Sequence, residues 1–226
     1  MAKKNQLIKI LFIGNSFTQR NELPRLVAEV AAERSLQVEP ELISAGGASL
    51  RTHWNAGRAA HLIATGGYHY VVLQEQSTLP VKNAGRMAEN IRLFDEAIRR
   101  AGSKTVLYMT WARQHSPDSQ KGIANAYNSI GRELDAIVVP VGLAWHSFHS
   151  KHEKPVLYDR DQSHPTLAGS YLAACVFLAV LLKVNPVGVE AGPAGLNKQD
   201  MTALQRAAWK QAGLKEVATP STYKYY

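Results

Sequence analysis

Residues 7–14 read LIKILFIG, and residues 15–19 continue as NSFTQ. The first eight are rich in Ile and Leu and stop on a glycine. A short apolar run bounded by a turn residue reads as a buried strand. At its carboxyl end, Gly14 permits a tight turn, Asn15 tolerates unusual backbone angles, and Ser16 offers a hydroxyl. Ser16 can cap an ordinary helix start, or it can be a nucleophile presented at the end of a strand.

Working outward, the same strand–helix alternation repeats. ELPRLVAEVAAERS places Leu23, Leu26, Val27 and Val30 on one helix face. VEPELISA (38–45) is a second strand, with Pro40 setting it toward a sheet edge. LRTHWNAGRAAHLIAT (50–65) reads as a helix ending near Gly66-Gly67. YHYVVLQ (68–74) is the third strand, and residues 83–101 form a helix closed by Gly102. KTVLYMTWA (104–112) is the fourth strand, and SPDSQKGIANAYNSIGREL (116–134) a helix with a Ser-Pro start. AIVVPVG (136–142) is the fifth strand; a loop with Pro155 leads to a helix from Pro165 to Lys183. This order predicts an α/β fold, a parallel sheet with helices on both faces. The tail after Asn185 carries Gly and Pro, then one amphipathic helix, MTALQRAAWKQAG (201–213). The expectation is a single domain over 1–226, with 185–226 an appendage packed on it and TPSTYKYY frayed at the end.

Composition narrows the function classes. The one cysteine, Cys175, lies in the apolar run YLAACVFLAVLL, so neither an intrachain disulfide nor a cysteine-built zinc site is available. The formal net charge of +8 can draw in anionic substrates. The basic residues are scattered, adjacent only at Lys3-Lys4 and Arg99-Arg100, and no dense basic run with interleaved aromatics points to nucleic acid. MAKKNQLIKILFIG lacks a long apolar core, so no signal peptide is read and a cytoplasmic protein is expected, or a secreted one if a leader has been removed. Tyr171 to Leu182 is too short to span a bilayer as a helix, which predicts a soluble protein without a membrane span.

In parallel α/β sheets, ligands bind beyond the carboxyl ends of the strands. There the chain places Gly14-Asn15-Ser16, then Gly46-Gly47 in SAGGASL, then Gln74-Glu75-Gln76-Ser77, and late in the chain DRDQSHPTLAG with Asp161 and His164. Pro165 fits the first position of the last helix, leaving His164 on the loop before it. These are the parts that acyl transfer needs. A serine hydroxyl requires a base, a histidine can be that base, and a carboxylate can orient the imidazole. Backbone N–H groups or a side-chain amide can hold the oxyanion.

On these residues the chain resembles the SGNH (GDSL-like) hydrolase superfamily. Gly14-Asn15-Ser16 corresponds to the nucleophile block, with Asn15 where the family has Asp. Gly46, Gly47 or Ser49 can supply the second block, and Gly47 is favoured. Gln74-Glu75-Gln76-Ser77 stands where the family has Gly-x-Asn-Asp, with Gln76 replacing the asparagine amide. DQSHP matches the final Asp-x-x-His-Pro block in full. GNSFT together with LQEQS points to a bacterial branch, and the match runs from residue 9 to about 183.

The resemblance implies a three-layer α/β/α, flavodoxin-like sandwich around a five-stranded parallel sheet. It implies Ser16 as nucleophile, His164 as base and Asp161 as its orienting acid. The oxyanion hole would be the N–H groups of Ser16 and Gly47 with the Gln76 amide. It calls for no metal or organic cofactor, and for small-molecule or carbohydrate esters as substrates. A second reading is a binding module for a carbohydrate or anionic ligand on a degenerate scaffold, without turnover.

Other positions have two readings. Asp159 rivals Asp161, but the x-x spacing favours the latter. Gln74 reads as a buried amide. Asn15, His53 and Trp54, and Arg113 after the fourth strand, can line the substrate cleft; Trp54 can equally be core, and Arg113 can form a salt bridge. His146, His149 and His152 recur three apart, as a metal grip would need on a helix, though a solvated face is the better reading. GNSFT is not a phosphate loop, because no Gly-Lys-Ser/Thr follows.

Overall fold

A computed structural model describes residues 7–213. Residues 1–6 and the tail TPSTYKYY lie outside them. The chain runs β1 (Leu7–Gly14), α1 (Ser16–Gln19), a single 3₁₀ turn at Arg20–Glu22, α2 (Leu23–Ala32) and β2 (Gln37–Ser44). It continues through α3 (Leu50–Asn55), α4 (Arg58–Thr65), β3 (Tyr70–Leu73), α5 (Leu79–Lys82), α6 (Ala84–Arg100), β4 (Lys104–Tyr108) and α7 (Ser119–Glu133). It closes with β5 (Ile137–Val139), α8 (Val141–His149), α9 (Leu167–Val180) and α10 (Lys198–Gln211).

The five strands form one parallel sheet in the order β2-β1-β3-β4-β5. β2, which carries Pro40, is an edge strand as expected, so the missing proline N–H disturbs no second neighbour. Because side chains alternate along a strand, the inner strands feed two separate cores. Ile10, Phe12, Val72, Val106 and Tyr108 face one way, onto α2, α8 and α9. Leu11, Ile13, Val71, Leu73 and Leu107 face the other, onto α3, α4, α6 and α7. That makes three layers, α/β/α. Both faces being covered explains why β1 and β3 read as apolar runs rather than as alternating strands.

α9 is apolar all round, and its residues from Ala168 to Ala179 are buried. It lies between the sheet and α10, which packs on α9 and on α8. Cys175 is fully buried in it, and burial pushes its thiol up to about 12, so it is a packing residue.

Four local expectations are corrected. The helix expected over 50–65 is two, separated at Gly57, whose φ of +76° no helix interior accepts. The fourth strand ends at Tyr108 rather than Ala112, and Met109–Ala112 form a buried loop. The fifth strand is short, ending at Val139, and Val141–His149 form a helix where the end of that strand and a loop were expected. Finally, Pro165 is not the first residue of α9. Thr166 caps that helix through Gly169 N–H at 3.2 Å, while Pro165 pairs with Tyr158 in an isolated bridge.

Candidate active site

Ser16 starts α1 directly beyond β1. Asn15 caps it: its Oδ1 accepts Phe17 N–H at 3.1 Å, and its Nδ2 donates to Ala48 O at 3.1 Å. Asn15 is 2% exposed, so both ends of the amide are committed inside the protein. An aspartate there would set a second oxygen against the Ala48 carbonyl. Gly14 is required for a different reason. A Cβ there would stand 2.5 Å from Thr18 Oγ1 and 2.6 Å from Gln74 Oε1. Gln74, fully buried, accepts Asn15 N–H and the Thr18 hydroxyl, each at 2.9 Å, as the buried-amide reading expects.

His164 arrives from the opposite end of the chain. Its Nε2 lies 2.7 Å from Ser16 Oγ, and its Nδ1 hydrogen-bonds Asp161 Oδ2. Asp161 Oδ1 accepts the N–H groups of Ser163 at 3.0 Å and His164 at 2.9 Å, so the acid is held by the loop it serves. The rival Asp159 is engaged elsewhere, 2.5 Å from Arg20 Nη1. Partial burial pushes the Asp161 carboxyl up, but the His164 ring and the two backbone donors outweigh it and hold it at about 2.

This lowered value predicts a pH dependence with a definite sign. A depressed acid is charged, and its contribution present, above the usual 3.8; that contribution is lost as pH falls through about 2. Carboxyl-carbon NMR of Asp161 will show a midpoint near 2, moving up toward 3.8 in His164→Gln. A wild-type midpoint at 3.8 or above would contradict the contact.

The loop carrying Asp161 and His164 is pinned at three places. Trp111, just past β4, donates Nε1–H to Ser163 O at 3.0 Å. Tyr158 donates its hydroxyl to Ala112 O at 2.8 Å. Asn21, at a φ of +55°, donates Nδ2–H to Pro165 O at 3.2 Å and Thr166 O at 3.0 Å. An aromatic chain joins the Ser16 turn to this loop. Phe17 stacks on Trp111 at 5.0 Å, Trp111 on Trp145 at 3.9 Å, and Trp145 meets Tyr158 edge-on at 5.1 Å. Such pairs contribute about 0.5–1.5 kcal/mol each beyond their buried area, comparable to the hydrogen bonds they accompany.

Gly47 and Gln76 line the same cleft as Ser16 and His164, a space of about 220 Å³. Gly47 has a φ of +67°, whereas Gly46 does not enter the left-handed region. Gln76 Oε1 accepts Thr78 N–H at 2.9 Å and Leu79 N–H at 3.0 Å, fixing the start of α5. With its oxygen anchored, the amide leaves Nε2 without a protein acceptor among the described residues. The N–H groups of Ser16 and Gly47 are likewise without an acceptor among them.

The substrate-lining expectations divide. Arg113, half-buried, lines the cleft. Asn15 also touches it, but its polar atoms are spent as described. His53 and Trp54 do not line it. His53 is buried and donates Nε2–H to Gly14 O at 2.7 Å, bracing the Gly14–Ser16 turn from behind. Trp54 packs edge-on against Phe94 at 5.1 Å. The reason is rotational: α3 turns these two inward and leaves Thr52 exposed. His146 and His149 are exposed on α8 and His152 beyond it; the ring of His152 stacks on Phe148 at 4.6 Å.

The sequence reading missed Glu75. This carboxylate is fully buried, yet it accepts Leu50 N–H at 3.0 Å, Gln76 N–H at 2.7 Å and Asn90 Nδ2–H at 2.8 Å. It thereby joins the β3 exit to the first residue of α3, just past the Gly47 turn. Its burial raises its carboxyl pKa, opposed by the three donors. The available signal was an acid immediately after a buried strand, where a solvated residue is the usual expectation.

Fold and site together define a class: the chain has the SGNH/GDSL-like hydrolase fold and carries a serine in hydrogen-bond contact with a histidine. Among solved structures it is similar to a protein of Slackia heliotrinireducens provisionally assigned as an SGNH hydrolase. The identity is 26%, the TM-score 0.68, and the match covers 78% of this chain and 100% of that one. It is also similar to a DUF4886 family protein of Bacteroides uniformis, at 19% identity and TM-score 0.76, over 91% of this chain and 94% of the other. A member of the lipolytic protein G-D-S-L family of Veillonella parvula matches at 13% identity and TM-score 0.62, over 78% of this chain and 100% of its own. No protein-family model and no curated protein matches the chain.

Proposed function

We propose that the protein is a serine esterase that cleaves small acyl esters, acetylated carbohydrates among them, through a Ser16–His164–Asp161 triad. The observation that carries this is the relay of hydrogen bonds from Ser16 Oγ through His164 to Asp161, opening on a cleft with three unspent N–H donors. His164 takes the Ser16 proton as Oγ bonds to the carbonyl carbon, and the carbonyl electron pair moves onto oxygen. The N–H groups of Ser16 and Gly47 and the Gln76 amide receive that oxyanion. Its collapse breaks the bond to the alcohol oxygen, which leaves with the proton from His164. Water, deprotonated by His164, then attacks the acyl-serine; the acid departs and Ser16 regains its proton. Asp161 holds the imidazole tautomer that leaves Nε2 free to accept. The non-catalytic binding alternative leaves this relay without a purpose.

A fluorophosphonate will form a covalent adduct on Ser16, found by peptide mass spectrometry, and none on Ser16→Ala. The wild type will hydrolyse p-nitrophenyl acetate. No adduct, together with equal rates for wild type and Ser16→Ala, would refute the esterase reading. Gln76→Ala will lower kcat by roughly tenfold to a thousandfold, the effect of losing one oxyanion donor. An unchanged kcat would remove Gln76 from the hole.

A further inference from the structure

A second space adjoins the cleft over Ser16. Ser77 and Arg113 line both, so the two meet at that edge, and the second is the larger, about 370 Å³ against about 220 Å³. It lies between the β3–α5 connection and the loop after β4. Its floor is apolar, from Trp111, Ala112 and Ile123, while its rim carries Lys82, Arg113 and His115. No carboxylate lines it. Asp118, the acid nearest along the chain, is outside its wall, and Asp161 in the neighbouring cleft is already held by His164 and two backbone N–H groups. Lys82 and Arg113 have no ion-pair partner among the described residues, and the half-buried Arg113 side chain makes no hydrogen bond among them either. The 15-residue helix α7 begins here as well, with Ser119 on the wall, and adds the positive end of its dipole.

From this juxtaposition we infer that the second space is a substrate pocket for an anionic group, a carboxylate or phosphate borne by the ester. The inference rests on the esterase reading for its place in the reaction, but anion binding itself does not require turnover. The physical argument is one of balance. A half-buried Arg113 that makes no ion pair, its neighbour Asp161 being bonded to His164 instead, has lost water without gaining a counter-charge in contact. An anionic ligand would supply that charge, and an apolar body borne with it would lie against Val81, which is 50% exposed on the same wall. Guanidinium suits it, because it pairs two N–H donors with carboxylate or phosphate oxygens.

Two pairs of esters test this, each an anion and an uncharged counterpart of similar size. With the charge on the acyl side, p-nitrophenyl hydrogen adipate is compared with p-nitrophenyl hexanoate. With the charge on the alcohol side, 4-acetoxybenzoate is compared with its methyl ester. The anionic member of at least one pair will have the higher kcat/KM, by on the order of tenfold at low salt. That advantage will shrink toward unity near 1 M NaCl, where charges are screened within about 3 Å. The Lys82→Gln/His115→Gln double variant will lower the anionic-to-neutral ratio several-fold. If neither anion has an advantage while neutral esters still turn over through Ser16, the pocket assignment is wrong and the esterase reading stands. A binding measurement covers the opposite case. NMR titration of the Ser16→Ala protein will show benzoate shifting resonances of the pocket wall at concentrations where benzamide does not, and the double variant will lose the difference. Equal responses to benzoate and benzamide would overturn the inference whatever the protein hydrolyses.

Discussion

Replacing His164 by alanine will reduce kcat on p-nitrophenyl acetate by on the order of 10⁴–10⁶, with the fold retained. The size follows from what one ring does at this site. Its Nε2 is 2.7 Å from Ser16 Oγ, and its Nδ1 is bonded to a carboxylate itself held by two backbone N–H groups. Removing the ring leaves a serine with its ordinary, weakly nucleophilic hydroxyl. The ring is partly exposed, and its removal opens no sealed core cavity, so circular dichroism and thermal midpoint will stay close to wild type. The double variant Ser16→Ala/His164→Ala will be scarcely worse than either single change, because residues that act as one unit do not contribute additively. A loss below tenfold for His164→Ala, or additive losses in the double variant, would break the proposed relay.

The second large effect concerns Glu75, which touches no substrate. Glu75→Ala will destabilise the protein by about 2–5 kcal/mol, since buried donors left unpaired cost about 1–3 kcal/mol each. Two such donors depend on it, Leu50 N–H and Asn90 Nδ2–H, while the third, Gln76 N–H, is only part-buried and can turn to water. For a chain of this length that corresponds to a fall in Tm of roughly 5–15 °C. Activity will also drop at temperatures where the variant remains folded, because the carboxylate holds the backbone of Gln76 and the start of α3 behind Gly47. The loss will fall on kcat rather than KM, as expected for an oxyanion hole set out of place. Glu75→Gln will be intermediate. It keeps one acceptor oxygen for the backbone donors but turns an amide N–H toward Asn90 Nδ2, and Asn90 is not free to flip, because its Oδ1 accepts Arg51 Nε–H at 3.0 Å. The pH dependence has the opposite sign to that of Asp161. Burial raises the Glu75 carboxyl above its usual 4.5, so its contribution to stability is greatest below that value and declines as pH rises through the elevated one. A Glu75→Ala protein with wild-type Tm and kcat would show that the carboxylate positions nothing.

Much of this was legible in the linear chain. The apolar runs at 7–14 and 70–73 identified inner strands because a parallel sheet covered on both faces leaves no reason for alternation. Gly14-Asn15-Ser16 and DQSHP stand directly beyond structured elements, where side chains can converge without crossing a core. Periodicity did less well where geometry and composition conflict. Val141–His149 begins with strand-like residues but is helical, packed against Trp111 and α10. Gly57 broke a pattern that otherwise ran on, and Thr166 rather than Pro165 began α9.

The α/β alternation and the candidate serine, histidine and acid are therefore readable from the linear chain, because they depend on local pattern and on residue chemistry. The folded arrangement alone settles what each candidate touches. It set Ser16 beside His164 across 148 positions of sequence, chose Asp161 over Asp159, and turned His53 and Trp54 inward. It also exposed Glu75 as the buried joint behind Gly47 and Gln76. In LFIGNSFTQ, residues 11–19, it gave Asn15 a definite duty, a neutral amide that can accept from Phe17 and donate to Ala48 at once. Such distinctions rest on side-chain direction and on partners distant in sequence, which no linear spacing encodes.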